Sequence, residues 1–144
     1  MKIYTIGYTK KSLERFINLL KKNNIKKVID IRLNNTSQLA GFAKKDDLKY
    51  ILSLVGIEYQ HIPELAPSEE LLKSYQRKEK SWEDYEKEFL EMLNQKNLRD
   101  LLKINENEFM CLLCSEDKPE KCHRRIVAEQ LQKHFGNLEI IHLI

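Results

Sequence analysis

A chain of 144 residues is the size of one domain with a substantial core. Its 25 basic and 22 acidic side chains leave a formal charge of only +3, which argues against a surface built mainly to grip nucleic acid. Three cysteines, an odd number, argue against a disulfide framework, and no apolar run approaches membrane-spanning length.

The first predicted element is a strand over residues 3–6, ending in Gly7, Tyr8 and Thr9. It starts so near the first methionine that no signal peptide fits before it, so a cytoplasmic protein with reduced thiols is expected. Ser12 then caps a helix whose apolar side is Leu13, Phe16, Ile17 and Leu20. Residues 27–32 (KVIDIR) read as a second strand, and alternation puts Asp30 and Arg32 on one side of it. A polar loop with Asn34, Asn35, Thr36 and Ser37 leads to a helix carrying Leu48, Ile51, Leu52 and Val55, stopped at Gly56. Residues 57–59 form a short strand closed by His61 and Pro63. Residues 64–80 read as one modest helix within a polar surface excursion, placed to act as a lid. Ser81 and Asp84 open a clear helix with a stripe of Trp82, Tyr85, Phe89, Met92 and Leu93, at a spacing that usually means core. A short helical piece over residues 98–103 follows, and the chain ends in a strand near residues 138–143.

The densest stretch is residues 109–125, FMCLLCSEDKPEKCHRR, which holds all three cysteines. Its first six residues are an apolar run of the buried-strand type. Asp117 as a cap, Pro119 in a first turn and Glu120 three residues after Asp117 then predict a helix start. Stepping back four residues from Val127 and Ala128 lands on His123 and Arg124, so those two side chains lean toward the sheet while Arg125 faces solvent. A cation in a first helical turn opposes the macrodipole, so something negative is expected opposite Arg124. It is either an internal carboxylate, Asp30 or Glu116, or a bound anion.

Strands alternating with helices imply an α/β fold, three-layered with a mainly parallel sheet, Rossmann-like in the broad sense, as a single domain over residues 1–144. Such sheets bind ligands beyond the carboxyl ends of their strands, and the chemically useful residues do follow strands here: Tyr8, Arg32, His61, Cys114, Glu116, His123 and Arg124. Gly7 stands alone, without the glycine-rich turn a dinucleotide needs, and no cofactor is expected. A phosphatase loop needs arginine six residues after the cysteine, where Cys114 has Glu120. Cys111 and Cys114 are three apart in a strand and face opposite sides, so a metal shared between them is excluded. Cys114 or Cys122, close to a helix start and His123, has surroundings that lower a thiol pKa.

TIGY at residues 5–8, DIR at 30–32, LLCSE at 112–116 and CHR at 122–124 together resemble the family catalogued as domain of unknown function 488. The resemblance spans essentially the whole chain and implies an α/β domain with no assigned general activity. On the residues themselves, the leading expectation is an enzyme or binding domain for a phosphate-bearing ligand, a nucleotide or a nucleic-acid end. Cys114, Glu116 and His123 are the catalytic candidates. Tyr8, Arg32 and Arg124 would hold the anion, Asp30 would orient them, and no metal is assigned. The alternatives are a non-catalytic nucleic-acid-binding module and a structural Cys/His/Arg cluster without a ligand.

Overall fold

The computed structural model describes residues 1–104 and 107–144. Five strands form: β1 (Lys2–Gly7), β2 (Ile25–Asp30), β3 (Glu58–His61), β4 (Phe109–Cys114) and β5 (Glu139–Leu143). They make one all-parallel sheet in the order β3-β2-β4-β1-β5. The central β4 is buried from Met110 to Cys114, and β1 from Ile3 to Gly7, so both read as continuous apolar runs rather than alternating ones.

The helices are α1 (Leu13–Lys22), α2 (Lys45–Leu54), α3 (Glu69–Gln76), α4 (Trp82–Asn94), α5 (Leu98–Leu101) and α6 (His123–Phe135). Ser12, Ser68 and Ser81 each accept a hydrogen bond from the amide three residues on, opening α1, α3 and α4. On one face of the sheet Tyr4, Ile6, Val28, Cys111 and Leu113 pack against Phe16 and Leu20 of α1 and Leu48 and Leu52 of α2. On the other, Ile3, Ile29, Met110 and Leu112 pack against Phe89 and Leu93 of α4 and Val127 and Leu131 of α6. The result is a three-layer α/β architecture. Among the described residues no helix is long and apolar enough to cross a membrane.

The layering follows from the crossovers. The steps from β1 to β2 and from β2 to β3 run toward one edge of the sheet and place α1 and α2 on one face. Those from β3 to β4 and from β4 to β5 run the other way and place α4 and α6 on the opposite face. A constant crossover hand demands this pairing of direction with face. Neighbouring β2 and β4 therefore send their outgoing chains to opposite faces, which opens a crevice at their carboxyl ends.

Several boundaries differ from the sequence expectation. The second strand, expected over residues 27–32, runs from Ile25 to Asp30 and leaves Arg32 beyond its end. The third strand begins at Glu58 and runs through His61, where pairing with β2 carries it on to Asp30 opposite His61. The helix expected to open at Asp117 starts instead at His123, with Cys122 as its N-cap. Lys11 takes the Asp117 carboxylate at 2.7 Å and Arg124 takes the carbonyls of Glu116 and Asp117, so residues 115–121 are held as an irregular loop.

Candidate active site

A cavity of about 260 Å³ lies in that crevice. Arg32 and Asn34 reach it from the end of β2, Cys114, Ser115 and Glu116 from the end of β4, and Lys121, Cys122 and His123 from the approach to α6. Tyr75 of α3 with Trp82 and Tyr85 of α4 form an aromatic wall, the Trp82 and Tyr85 rings stacked at 5.1 Å. Burial drives the Tyr85 phenol above its ordinary pKa, so this wall is neutral.

Cys114 ends β4 on the face opposite Cys111, as strand alternation requires. Its Sγ lies 3.4 Å from Nδ1 of His123. The other ring nitrogen, Nε2, is 2.7 Å from the carbonyl oxygen of Ile31. A carbonyl only accepts, so Nε2 carries a proton and Nδ1 is left to exchange one with the thiol. The imidazole is further fixed edge-on against Phe89, with ring centres 5.7 Å apart. Burial opposes ionisation of Cys114, but a hydrogen bond from Cys122, the main-chain amides of Ser115 and Glu116, and the Arg124 charge outweigh it and hold the thiol below its ordinary pKa. Cys122 is pushed the other way, by its own burial and by Cys114, and burial alone raises Cys111.

Arg124 is fully buried. Nε donates to Thr5 Oγ1 at 3.3 Å, Nη1 to the Glu116 carbonyl, and Nη2 to the Asp117 carbonyl at 3.1 Å. It also approaches Cys122 Sγ to 3.5 Å. The negative partners opposite this cation are thus carbonyl oxygens, and neither the Asp30 nor the Glu116 carboxylate is among them. Thr9 fastens the same loop from β1 through the Ser115 carbonyl. Gly7 makes the approach feasible, since a Cβ there would stand 1.6 Å from the Glu116 carbonyl oxygen and 2.9 Å from Arg124 Nη1.

Arg32 sits in a separate network. Its Nε and Nη2 form a fork on Asp30, at 2.8 and 2.7 Å, and Nη2 also reaches the Ala43 carbonyl. Tyr59 donates to Asp30 at 2.6 Å and Asn35 at 3.3 Å. Burial raises the Asp30 carboxyl, but Arg32 and then Tyr59 overcome it and keep the group below its usual range. His61 Nε2 bonds the Arg32 carbonyl at 2.7 Å, and the Tyr8 ring lies under the guanidinium at 5.2 Å. The buried Nη1 of Arg32 has no hydrogen-bond partner among the described residues.

The structure thus brings Cys114, Glu116, His123 and Arg32 to one cavity and leaves Tyr8, Asp30 and Arg124 behind its walls. The two guanidiniums share no partner. Arg125, expected in solvent, bridges Glu129 of its own helix and Glu86 of α4 at 2.7 Å. The sequence treated Trp82 and Tyr85 as core, yet both also face the cavity; aromatics one turn apart beside a polar excursion were the signal. Asn35 and Tyr59 were not foreseen as partners of Asp30.

Cys114, Cys122 and His123 bring their donor atoms within 4.8 Å of one another, a set that could offer a metal three ligands. His61, a conceivable fourth, is occupied at the Arg32 carbonyl. No curated protein and no solved structure matches this chain. A family profile described as Domain of unknown function DUF488 matches residues 12–131, and the chain belongs to that family.

Proposed function

We propose that the cavity is a substrate pocket in which Cys114 is the nucleophile, as a thiolate, and His123 its proton partner. The observation that carries this reading is the 3.4 Å contact between Cys114 Sγ and His123 Nδ1, with Nε2 anchored on the Ile31 carbonyl, at the base of a cavity. Nucleophile, base and a third group orienting the base is the arrangement that thiol catalysis requires. The amides of Ser115 and Glu116 steady the sulfur charge, and Glu116, exposed at the lining, is placed to pass protons to solvent.

The ligand is a flat molecule carrying an anionic, acceptor-rich group such as a phosphate. Its flat part lies against Trp82 and Tyr85, and its anion meets Lys121 and the unpartnered Nη1 of Arg32. Arg124, Asp30 and Tyr8 position these groups without touching the ligand.

Alkylation by iodoacetamide followed by peptide mapping tests the reading. At pH 7 Cys114 is expected to react at least about tenfold faster than Cys111, more slowly in His123→Ala, and more slowly in the presence of adenosine monophosphate. Equal, slow labelling of both cysteines would leave a packing cluster and no active thiol. Fast labelling that the nucleotide does not slow would keep the thiol and remove the phosphate ligand.

A further inference from the structure

Cys122 has no part in the nucleophile and base pair, yet its sulfur belongs to the same cluster, within 4.8 Å of Cys114 Sγ and of a ring nitrogen of His123. It occupies the N-cap of α6 in an extended conformation, φ −137° and ψ 141°, and its side chain makes no capping hydrogen bond. Its Sγ meets its own helix only through Arg124 Nη1, at 3.5 Å. Residues 118–121 before it lie outside regular helix or strand, and Arg124 clamps the carbonyls of Glu116 and Asp117 ahead of them. Cys111 lies on the other face of the sheet and takes no part.

The charges around this pair point the same way. Arg124 is fully buried, and among the described residues no carboxylate forms an ion pair with it. Its Nη1 lies 3.5 Å from Cys122 Sγ, which sets the guanidinium against the cysteine pair. Two thiols this close, one of them 3.4 Å from an imidazole nitrogen at the lining of a cavity, have the arrangement of an attacking and a resolving cysteine.

We propose that Cys114 and Cys122 are a catalytic dithiol that reduces a hydroperoxide admitted to the cavity and closes into a disulfide, a step that rests on Cys114 being the reactive thiol. The Cys114 thiolate attacks the terminal peroxide oxygen. An S–O bond forms, the O–O bond breaks, and the departing alkoxide takes the proton held at His123 Nδ1 to leave as an alcohol. Cys122 sulfur then attacks the sulfenic sulfur of Cys114. The S–S bond forms, the S–O bond breaks, and the Cys122 proton passes through His123 to the leaving hydroxide, which departs as water. The two thiols lose two electrons and the peroxide gains them; a small-molecule thiol returns the pair to the reduced state.

A hydroperoxide suits the site better than a disulfide substrate. Cys114 is 5% exposed at the cavity floor, and a terminal oxygen reaches such a sulfur more readily than three sulfurs can align there. The aromatic wall adds a surface for an unsaturated or aryl body.

The experiment treats the fully reduced protein with cumene hydroperoxide and maps its peptides. Stoichiometric consumption and a peptide pair joined through Cys114 and Cys122 are expected. Cys111→Ser should behave as the parent does, and Cys122→Ser should halt at a Cys114 sulfenic acid that dimedone traps. Oxidation of Cys114 to sulfinic acid in the parent protein without the joined pair would overturn the proposal. So would one zinc per chain that survives dialysis and blocks both thiols. Rapid alkylation of Cys114 together with no reaction toward the hydroperoxide would sink the dithiol alone and leave the nucleophile standing. The parent protein's peptide map decides the matter even where Cys122→Ser does not fold.

Discussion

Asp30, a carboxyl with no exposure, keeps its charge because five donors surround it: the two of the Arg32 fork, the Arg32 amide, Tyr59 and Asn35. Removing the guanidinium in Arg32→Ala leaves that charge buried without its counter-ion, and a loss of about 3–5 kcal/mol is expected in urea melts. The pH dependence follows from the direction of the shift. Asp30 titrates lower in the folded chain than its ordinary 3.8, so its contribution is complete above that value and is lost as pH falls through the folded pKa. Acid titrations of the parent and Asp30→Asn should therefore converge only below about pH 4; parallel curves down to lower pH would contradict the assignment. The sequence put Asp30 and Arg32 on one side of a strand over residues 27–32; the strand ends at Asp30, and the two meet because Arg32 folds back from beyond it. Tyr59 and Asn35 were not legible in the sequence, because they arrive from β3 and a polar loop by a register that no local pattern announces.

At the scale of elements, the loop between β4 and α6 owes its shape to distant groups. Asp117, Pro119 and Glu120 carry every local mark of a helix start, and the sequence was read that way. Local capping lost to tertiary bonds: Lys11 holds the Asp117 carboxylate, and Arg124 holds the Glu116 carbonyl and the Asp117 carbonyl, the second of which a helix capped by Asp117 would have used. The burial of His123 and Arg124 was foreseen from the helical period, whereas the carbonyl partners of Arg124 depend on where the chain of β1 passes. Arg124→Ala strands those two carbonyls, at about 1–3 kcal/mol each, so a loss of roughly 2–6 kcal/mol in thermal or denaturant melts is expected. Gly7→Ala tests the same clamp from the other side. The added methyl collides with the Glu116 carbonyl, so the loop shifts and the amides that steady Cys114 shift with it. Iodoacetamide labelling of Cys114 should slow markedly at pH 7 while far-ultraviolet circular dichroism stays helical. Unchanged labelling would show that the loop does not govern the thiol.

Across the whole molecule, the strand order decides where the site lies and when it comes into being. The sequence announced alternating strands and helices, and with them the layers, but it carried no mark of which strands are neighbours. That order puts β4 between β2 and β1, so the ends bearing Arg32 and Cys114 lie side by side. It also means that β1 and β2, joined by a single helix, never pair with each other: each waits for a strand that begins at Phe109. A fragment ending at Ile104 has two inner strands with open hydrogen-bonding edges and is expected to associate or stay unfolded, as light scattering and hydrogen exchange would show; a monomeric, protected fragment would contradict this. In a chain made from its amino end, β1, β2 and β3 emerge before β4 can close the centre, so the open edges of β1 and β2 are exposed to neighbouring chains until then. Cys114 is itself the last residue of the closing strand, so its reactive surroundings can assemble only when the sheet does.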